Sequence, residues 1–383
     1  MHHVSRKGIT GLVALAAVLA CALPTVAAAE RIAPRGFFGS NWNFEITEAS
    51  DNTKRIAWDQ MAAAGVESQR LLFEWRTAQP VPHGTFDFAA SDADLERALR
   101  HRMELLPVVA GAPRWARESD APNSPPSDPS DYAAYLRALV VRYGPVGTFW
   151  AEHSDLPRRP IRTWQIWNEP SRNYQWTISK GEKWAPGYGA LLRASYPAIK
   201  DADAGARVVI AGLPNRSWRA LDRLYREGHV HGYFDVGAVH PYTLHDHGVL
   251  TIVKNYRNVM RDHGDGGKAI RVTEMGIPAS KGRDDSDFPL QTDDAGQIKF
   301  LRQSYNDLVA NRKQLHVTRV NWFTWASSYN GHTFAYSGLV AYTPGGEGAK
   351  SMSARPSLKV YRRLARRYEG CSKDKTGACT AAR

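Results

Sequence analysis

Short apolar runs alternate with longer amphipathic stretches along most of this 383-residue chain. The segments 37–40, 69–73, 105–109, 163–167, 207–211, 236–239, 269–273 and 317–324 read as strands. The spacing predicts helices over 50–64, 92–100, 131–143, 188–200, 218–227, 250–262, 293–310 and 357–368. Leu95 and Leu99, four apart, mark the buried face of the second helix, and Asp131 stands near the start of the third. Strands that alternate with helices imply parallel pairing through helical crossovers. Their number points to a closed α/β barrel, the (β/α)8 or TIM barrel, rather than an open sheet. No Gly- or Ser-rich linker divides the chain, so one domain is expected over 30–370. The Pro-, Ser- and Asp-rich stretch 113–129, with 171–186 and 279–290, forms long loops on the rim where barrel strands end.

The N-terminus has a different pattern. Arg6 and Lys7 precede an apolar run over 12–23, too short to span a bilayer, and small residues follow over 26–29. This is the pattern of a signal peptide over 1–29, cut after Ala29, and it implies a secreted protein. The alternative is a lipid anchor on Cys21, from the lipobox-like run Val18-Leu19-Ala20-Cys21. No later stretch has the length and apolarity of a membrane helix. Cleavage leaves 383 − 29 = 354 residues, and the formal charge falls from +12 to +10 as Arg6 and Lys7 depart. The basic balance reads as an Arg-rich surface, with Arg362, Arg363, Arg366 and Arg367 on the solvated face of the last helix. Basic and aromatic residues are not interleaved as in nucleic-acid modules, so no nucleic-acid partner is expected. Cys371 and Cys379 lie in the tail 371–383, where export permits a disulfide; no nearby histidine suggests a metal site.

Two glutamates close apolar runs 105 residues apart: Glu169 in Trp167-Asn168-Glu169-Pro170 and Glu274 in Thr273-Glu274-Met275-Gly276. Strand ends converge on one rim of a barrel, so both carboxyl groups can face one substrate. Retaining glycoside hydrolysis uses such a pair, about 5–5.5 Å apart. One carboxylate attacks the sugar and must stay ionised; the other must hold a proton to protonate the leaving oxygen. Spacing alone leaves open which is which.

Trp167-Asn168-Glu169-Pro170 resembles the Asn-Glu-Pro motif of glycoside hydrolase clan A, and Thr273-Glu274 resembles that clan's strand-seven site. The resemblance covers nearly the whole mature chain in element order. It implies that Glu169 is the acid/base and Glu274 the nucleophile. It further implies that Arg70 supports the nucleophile and that Asn168 binds the sugar 2-hydroxyl. His240-Pro241-Tyr242 resembles the clan's His-x-Tyr pair, with Tyr242 donating to Glu274 and His240 lining the same subsite. Trp325 resembles the aromatic platform under the sugar. The segment after strand three lacks the histidine of some clan families; Pro113 and Trp115 there resemble the loop of family 39 and its relatives. Trp75, Trp115, Tyr174 and Trp176 are candidates for stacking at further subsites. The implied substrate is a β-linked oligosaccharide or polysaccharide, with no metal or organic cofactor. A transglycosylase using the same residues, or a carbohydrate-binding barrel without activity, are the alternative readings.

Overall fold

The computed structural model describes residues 1–3, 30–283, 289–329 and 333–380. Beyond its first three residues, the predicted signal peptide, with Cys21, lies outside the described residues, as does 284–288 of a rim loop. Among the described residues, no helix is long and apolar enough to cross a membrane.

A ring of parallel strands forms the barrel: β1 (Phe38–Asn41), β2 (Ser68–Glu74), β3 (Glu104–Ala110), β4 (Thr163–Ile166), β5 (Arg207–Val209), β6 (Val236–His240), β7 (Ala269–Met275) and β8 (Val317–Trp322). Each pairs with its neighbour in sequence, β1 pairs with β8, and the Val209–Val236 pair joins β5 to β6. The crossover helices are α1 (Asp51–Ala63), α2 (Ala89–Arg100), α3 (Pro129–Tyr143), α4 (Trp184–Ala202), α5 (Ser217–Arg223), α6 (Gly248–Asp262), α7 (Asp294–Asn311) and α8 (Pro356–Glu369). This is the predicted (β/α)8 barrel. Val208, Val209, Ala238, Val239, Ile270 and Val272 are fully buried, as expected for strands covered on both faces.

Helix starts follow side-chain caps. Ser50 accepts from Thr53 N–H and starts α1; Asp293 accepts from Gly296 N–H and starts α7. Asp128 caps α3 through Ser130 N–H, so that helix opens at Pro129, ahead of Asp131.

Strand ends differ from expectation in two places that matter. Strand β7 runs through Glu274 to Met275, and its register against β8 shifts between Val272 and Met275, re-aiming the side chains there. Strand β8 stops at Trp322: Phe323 N–H still donates to Met275 O on β7, but Trp325 N–H reaches Asn41 O on β1. The chain then builds a rim insertion with a small sheet of Ala326–Ser327, Val340–Tyr342 and Met352–Ala354. These strands are too short to show alternation in sequence.

At the opposite end, Cys371 and Cys379 are bridged and close a hairpin of Ser372–Lys373 and Cys379–Thr380. Its Lys373 is buried against Glu67 and lies 3.0 Å from Glu369 on α8. Arg31 holds Glu67 from the N-terminal segment at 2.7 Å. The hairpin therefore ties both chain ends to the base of β2. Lys373→Met is predicted to cost about 1.5–3 kcal/mol, because buried Glu67 keeps Arg31 but loses its second charged donor. Urea unfolding measures this; a loss below about 1 kcal/mol would place the pair in solvent instead.

Candidate active site

The chain leaves β4 through two residues in the left-handed region, Trp167 (φ 62°) and Glu169 (φ 40°). Each such residue costs about 1–3 kcal/mol unless its surroundings impose the conformation. Here they do. The Trp167 indole N–H donates to Gln175 O at 2.8 Å, and its ring packs edge-on against Trp176. Asn168 forms a bridge to Gly212, and Glu169 N–H donates to Gly212 O at 3.1 Å. A Cβ on Gly212 would stand 2.0 Å from His240 Nε2, so only glycine fits there. The turn directs Glu169 over the barrel mouth.

Glu169 and Glu274 are each only 6% exposed. A carboxylate oxygen of Glu169, one of Glu274 and a ring nitrogen of His240 lie within 4.8 Å of one another. Arg70, from β2, donates to Glu274 Oε1 at 2.7 Å, and Tyr242 donates to its Oε2 at 2.6 Å. The same guanidinium donates to Asn41 Oδ1, Gln165 Oε1 and Asn168 Oδ1, so it is locked in place. His240 is fully buried beneath the pair: Nδ1 lies 2.7 Å from Glu169 Oε1 and 3.5 Å from Glu274 Oε2, and Nε2 lies 3.0 Å from Thr273 Oγ1. Tyr174 donates to Glu169 Oε2 at 3.0 Å from the loop after β4.

Burial by itself pushes the Glu274 pKa up. The charges of His240 and Arg70, with the hydrogen bonds from Tyr242 and Arg70, outweigh it and hold this carboxyl below its ordinary value. A depressed carboxyl pKa stabilises the fold above the unfolded-state pKa, and this contribution is lost as pH falls through the folded-state value. The same donors keep Glu274 ionised down to acid pH. Tyr242→Phe removes one of them and is predicted to move the acid limb of kcat/KM upward by about one pH unit. An unmoved limb in the pH–rate profile would rule out this role for Tyr242.

The structure thus brings Arg70, Asn168, Glu169, His240, Tyr242 and Glu274 together. Two placements differ from expectation. Trp325 is fully buried and offers no face to a sugar. Phe323 instead lines the cavity, because the chain turns inward to β1 after it. His240 lies behind the glutamates rather than lining a subsite, since Gly212 leaves room for its ring below the rim. Of the stacking candidates, Trp75 and Trp176 are core residues, and Trp115 packs edge-on against Trp75. Tyr174 is 63% exposed and faces the cavity. Asn41 and Gln165 were missed, although Gln165 stands between Trp164 and Ile166 in an otherwise apolar run, a visible sign of a buried polar contact.

Two cavities meet at Glu274 and share Asn43, Asn168 and Gln175 with it. The larger, about 780 Å³, holds Glu169, Tyr174, Tyr242 and Phe323; the smaller, about 260 Å³, holds Arg70, Trp42 and Glu74. The Glu169–His240–Glu274 cluster is tight enough for a cation. However, Arg70 and Tyr242 already occupy both Glu274 oxygens, and the guanidinium supplies the positive charge.

No family model and no curated protein matches the chain. Solved structures do. A family 39 glycoside hydrolase from the gut symbiont Bacteroides cellulosilyticus WH2 superposes with a TM-score of 0.64 at 16% identity, over 88% of this chain and 64% of that one. A monomeric beta-xylosidase from Caulobacter crescentus CB15 gives 0.62 at 17% identity, over 88% and 70%. The chain shares its fold with these glycoside hydrolases. Within that fold, a family 53 catalytic domain from Ignisphaera aggregans gives 0.56 at 21% identity, over 88% of this chain and 99% of that one. The present chain thus spans under two thirds of the Bacteroides enzyme but matches the Ignisphaera domain over almost its full length.

Proposed function

We propose that this protein is a secreted retaining β-glycosidase in which Glu274 is the nucleophile and Glu169 the acid/base. The observation that carries the reading is the buried glutamate pair with oxygens within 4.8 Å, of which Glu274 accepts from both Arg70 and Tyr242. That spacing suits direct attack on the sugar; an inverting enzyme holds its carboxyl groups about 6.5–9.5 Å apart, with room for water between.

In the first step, a Glu274 oxygen bonds to the anomeric carbon while the glycosidic C–O bond breaks. The Glu169 carboxyl gives its proton to the departing oxygen. In the second step, water attacks the same carbon, Glu169 takes the water's proton, and the ester to Glu274 breaks. Two inversions retain the configuration. Arg70 donates to Asn168 Oδ1, which leaves Asn168 Nδ2 to donate to the sugar 2-hydroxyl. Phe323 supplies the apolar face beneath the ring, in the place expected of Trp325. The likeness to the Caulobacter beta-xylosidase supports a β-linked glycan as substrate.

The test is mechanism-based trapping with 2,4-dinitrophenyl 2-deoxy-2-fluoro glycosides of glucose, galactose and xylose. Peptide mass spectrometry is expected to find the sugar on Glu274. A label on any other residue overturns the assignment.

A further inference from the structure

The cavity on the Arg70 side of Glu274 has a feature that the two glutamates do not explain. Leu72 is 50% exposed, although it lies within barrel strand β2. Alternation along the strand puts it on the same face as Arg70, about 7 Å further out, with Glu74 next in the row. Its partner on β3 is Val108, and both line the smaller cavity. Strand β3 then ends in Ala110, and Gly111 follows, so β3 supplies no large side chain to cover Leu72. The result is an apolar floor that opens to solvent.

The walls of this trough are fixed. Trp42 N–H donates to Arg70 O at 2.9 Å, and its ring packs against Trp58. Glu74 and Arg76, each about one-third exposed, pair at 2.9 Å, and Thr77 donates to Glu74 Oε2 at 2.6 Å. Nor does the trough stop at Leu72. Trp42, Leu72 and Glu74 also line a third cavity of about 600 Å³, which reaches outward between the loops that follow β1 and β2, to Thr47 and Thr77.

An apolar floor with a few polar groups at its edge suits a sugar ring, which has an apolar C–H face and a rim of hydroxyls. The chemistry sets the direction. Glu169 gives its proton to the leaving group and lines the larger cavity, so the leaving group lies there. The sugar under attack sits at Glu274, where the cavities meet. The smaller cavity, on the other side, receives the next sugar of the part that stays on the enzyme. We propose that Leu72, flanked by Trp42 and Glu74, forms this second subsite, and that the enzyme cuts inside β-linked chains rather than removing single sugars from their ends. The third cavity lets the chain continue outward. The inference rests on the roles proposed for Glu169 and Glu274, and adds the substrate class: an internal stretch of a polysaccharide.

The test uses matched 2,4-dinitrophenyl β-glycosides of a monosaccharide and its β-1,4-linked disaccharide, in gluco, galacto and xylo series. In the responsive series kcat/KM is expected to be on the order of 10²-fold higher for the disaccharide, because binding at a remote subsite is used at the reacting carbon. Leu72→Ala should cut that ratio about tenfold. Glu74→Gln, at the rim, should cut it several-fold and keeps the test valid if Leu72→Ala fails to fold. On the matching polysaccharide, viscosity should fall well before monosaccharide is released. A ratio near one, a ratio that survives both substitutions, or early monosaccharide with viscosity retained overturns the subsite. Calorimetric titration of the three β-1,4-linked tetrasaccharides into Glu274→Gln separates this from the catalytic assignment. Binding that weakens when Leu72→Ala is added upholds the subsite even if Glu274 proves not to be the nucleophile. No binding of any tetrasaccharide overturns the subsite, while a fluoro-sugar label on Glu274 would leave the nucleophile in place.

Discussion

Glu274→Gln is expected to lower hydrolysis of any responsive β-glycoside on the order of 10⁴-fold or more, with the fold intact. The amide is nearly isosteric, but it cannot form the ester intermediate. Folding should survive because the carbonyl side of the amide still accepts from Arg70 or Tyr242. Neutralising Glu274 leaves the Arg70 guanidinium without its ion-pair partner, although Asn41, Gln165 and Asn168 still accept from it. A modest Tm loss with abolished turnover is therefore the expected combination. Purified variant with near-normal kcat on an aryl glycoside would sink the nucleophile assignment.

Glu169→Ala should split the two chemical steps. With a natural glycan, the leaving alcohol needs a proton, and the loss should be about 10²–10⁴-fold. With a 2,4-dinitrophenyl leaving group, protonation matters little, so formation of the glycosyl-enzyme stays fast. Its hydrolysis slows, because no base activates the water. Pre-steady-state kinetics should then show a burst of dinitrophenol followed by a slow phase. Azide attacks without a general base and should restore turnover, giving a β-glycosyl azide. The cavity of about 780 Å³ beside Glu169 leaves room for it. Equal slowing of both steps, with no azide rescue, would remove Glu169 from the acid/base role. The Tyr174 hydrogen bond to Glu169 Oε2 provides no substitute, since removing the carboxylate removes its acceptor.

Much of this was legible in the chain. The alternation of apolar runs and helical spacing implies parallel strands buried on both faces, and eight such pairs point to a closed (β/α)8 barrel. Helix starts were partly legible: Asp131 stands in the first turn of its helix as expected, while Asp128 caps that helix because Pro129 suits its first turn. The short sheet of Ala326–Ser327, Val340–Tyr342 and Met352–Ala354 was not legible, since two or three residues carry no period.

The sequence by itself determined the barrel and the two strand-end glutamates, because each follows from local pattern; it permitted the Cys371–Cys379 bridge, which the structure shows. Only the tertiary structure decided how the partners of those glutamates are arranged. It buried Trp325 and turned Phe323 toward the cavity, because the chain after β8 hydrogen-bonds across to β1. It set His240 beneath both carboxylates, in space that Gly212 leaves open. The physical reason is common to all of these. They are contacts between strand ends far apart in sequence, fixed by barrel closure and register, and no local pattern encodes a register.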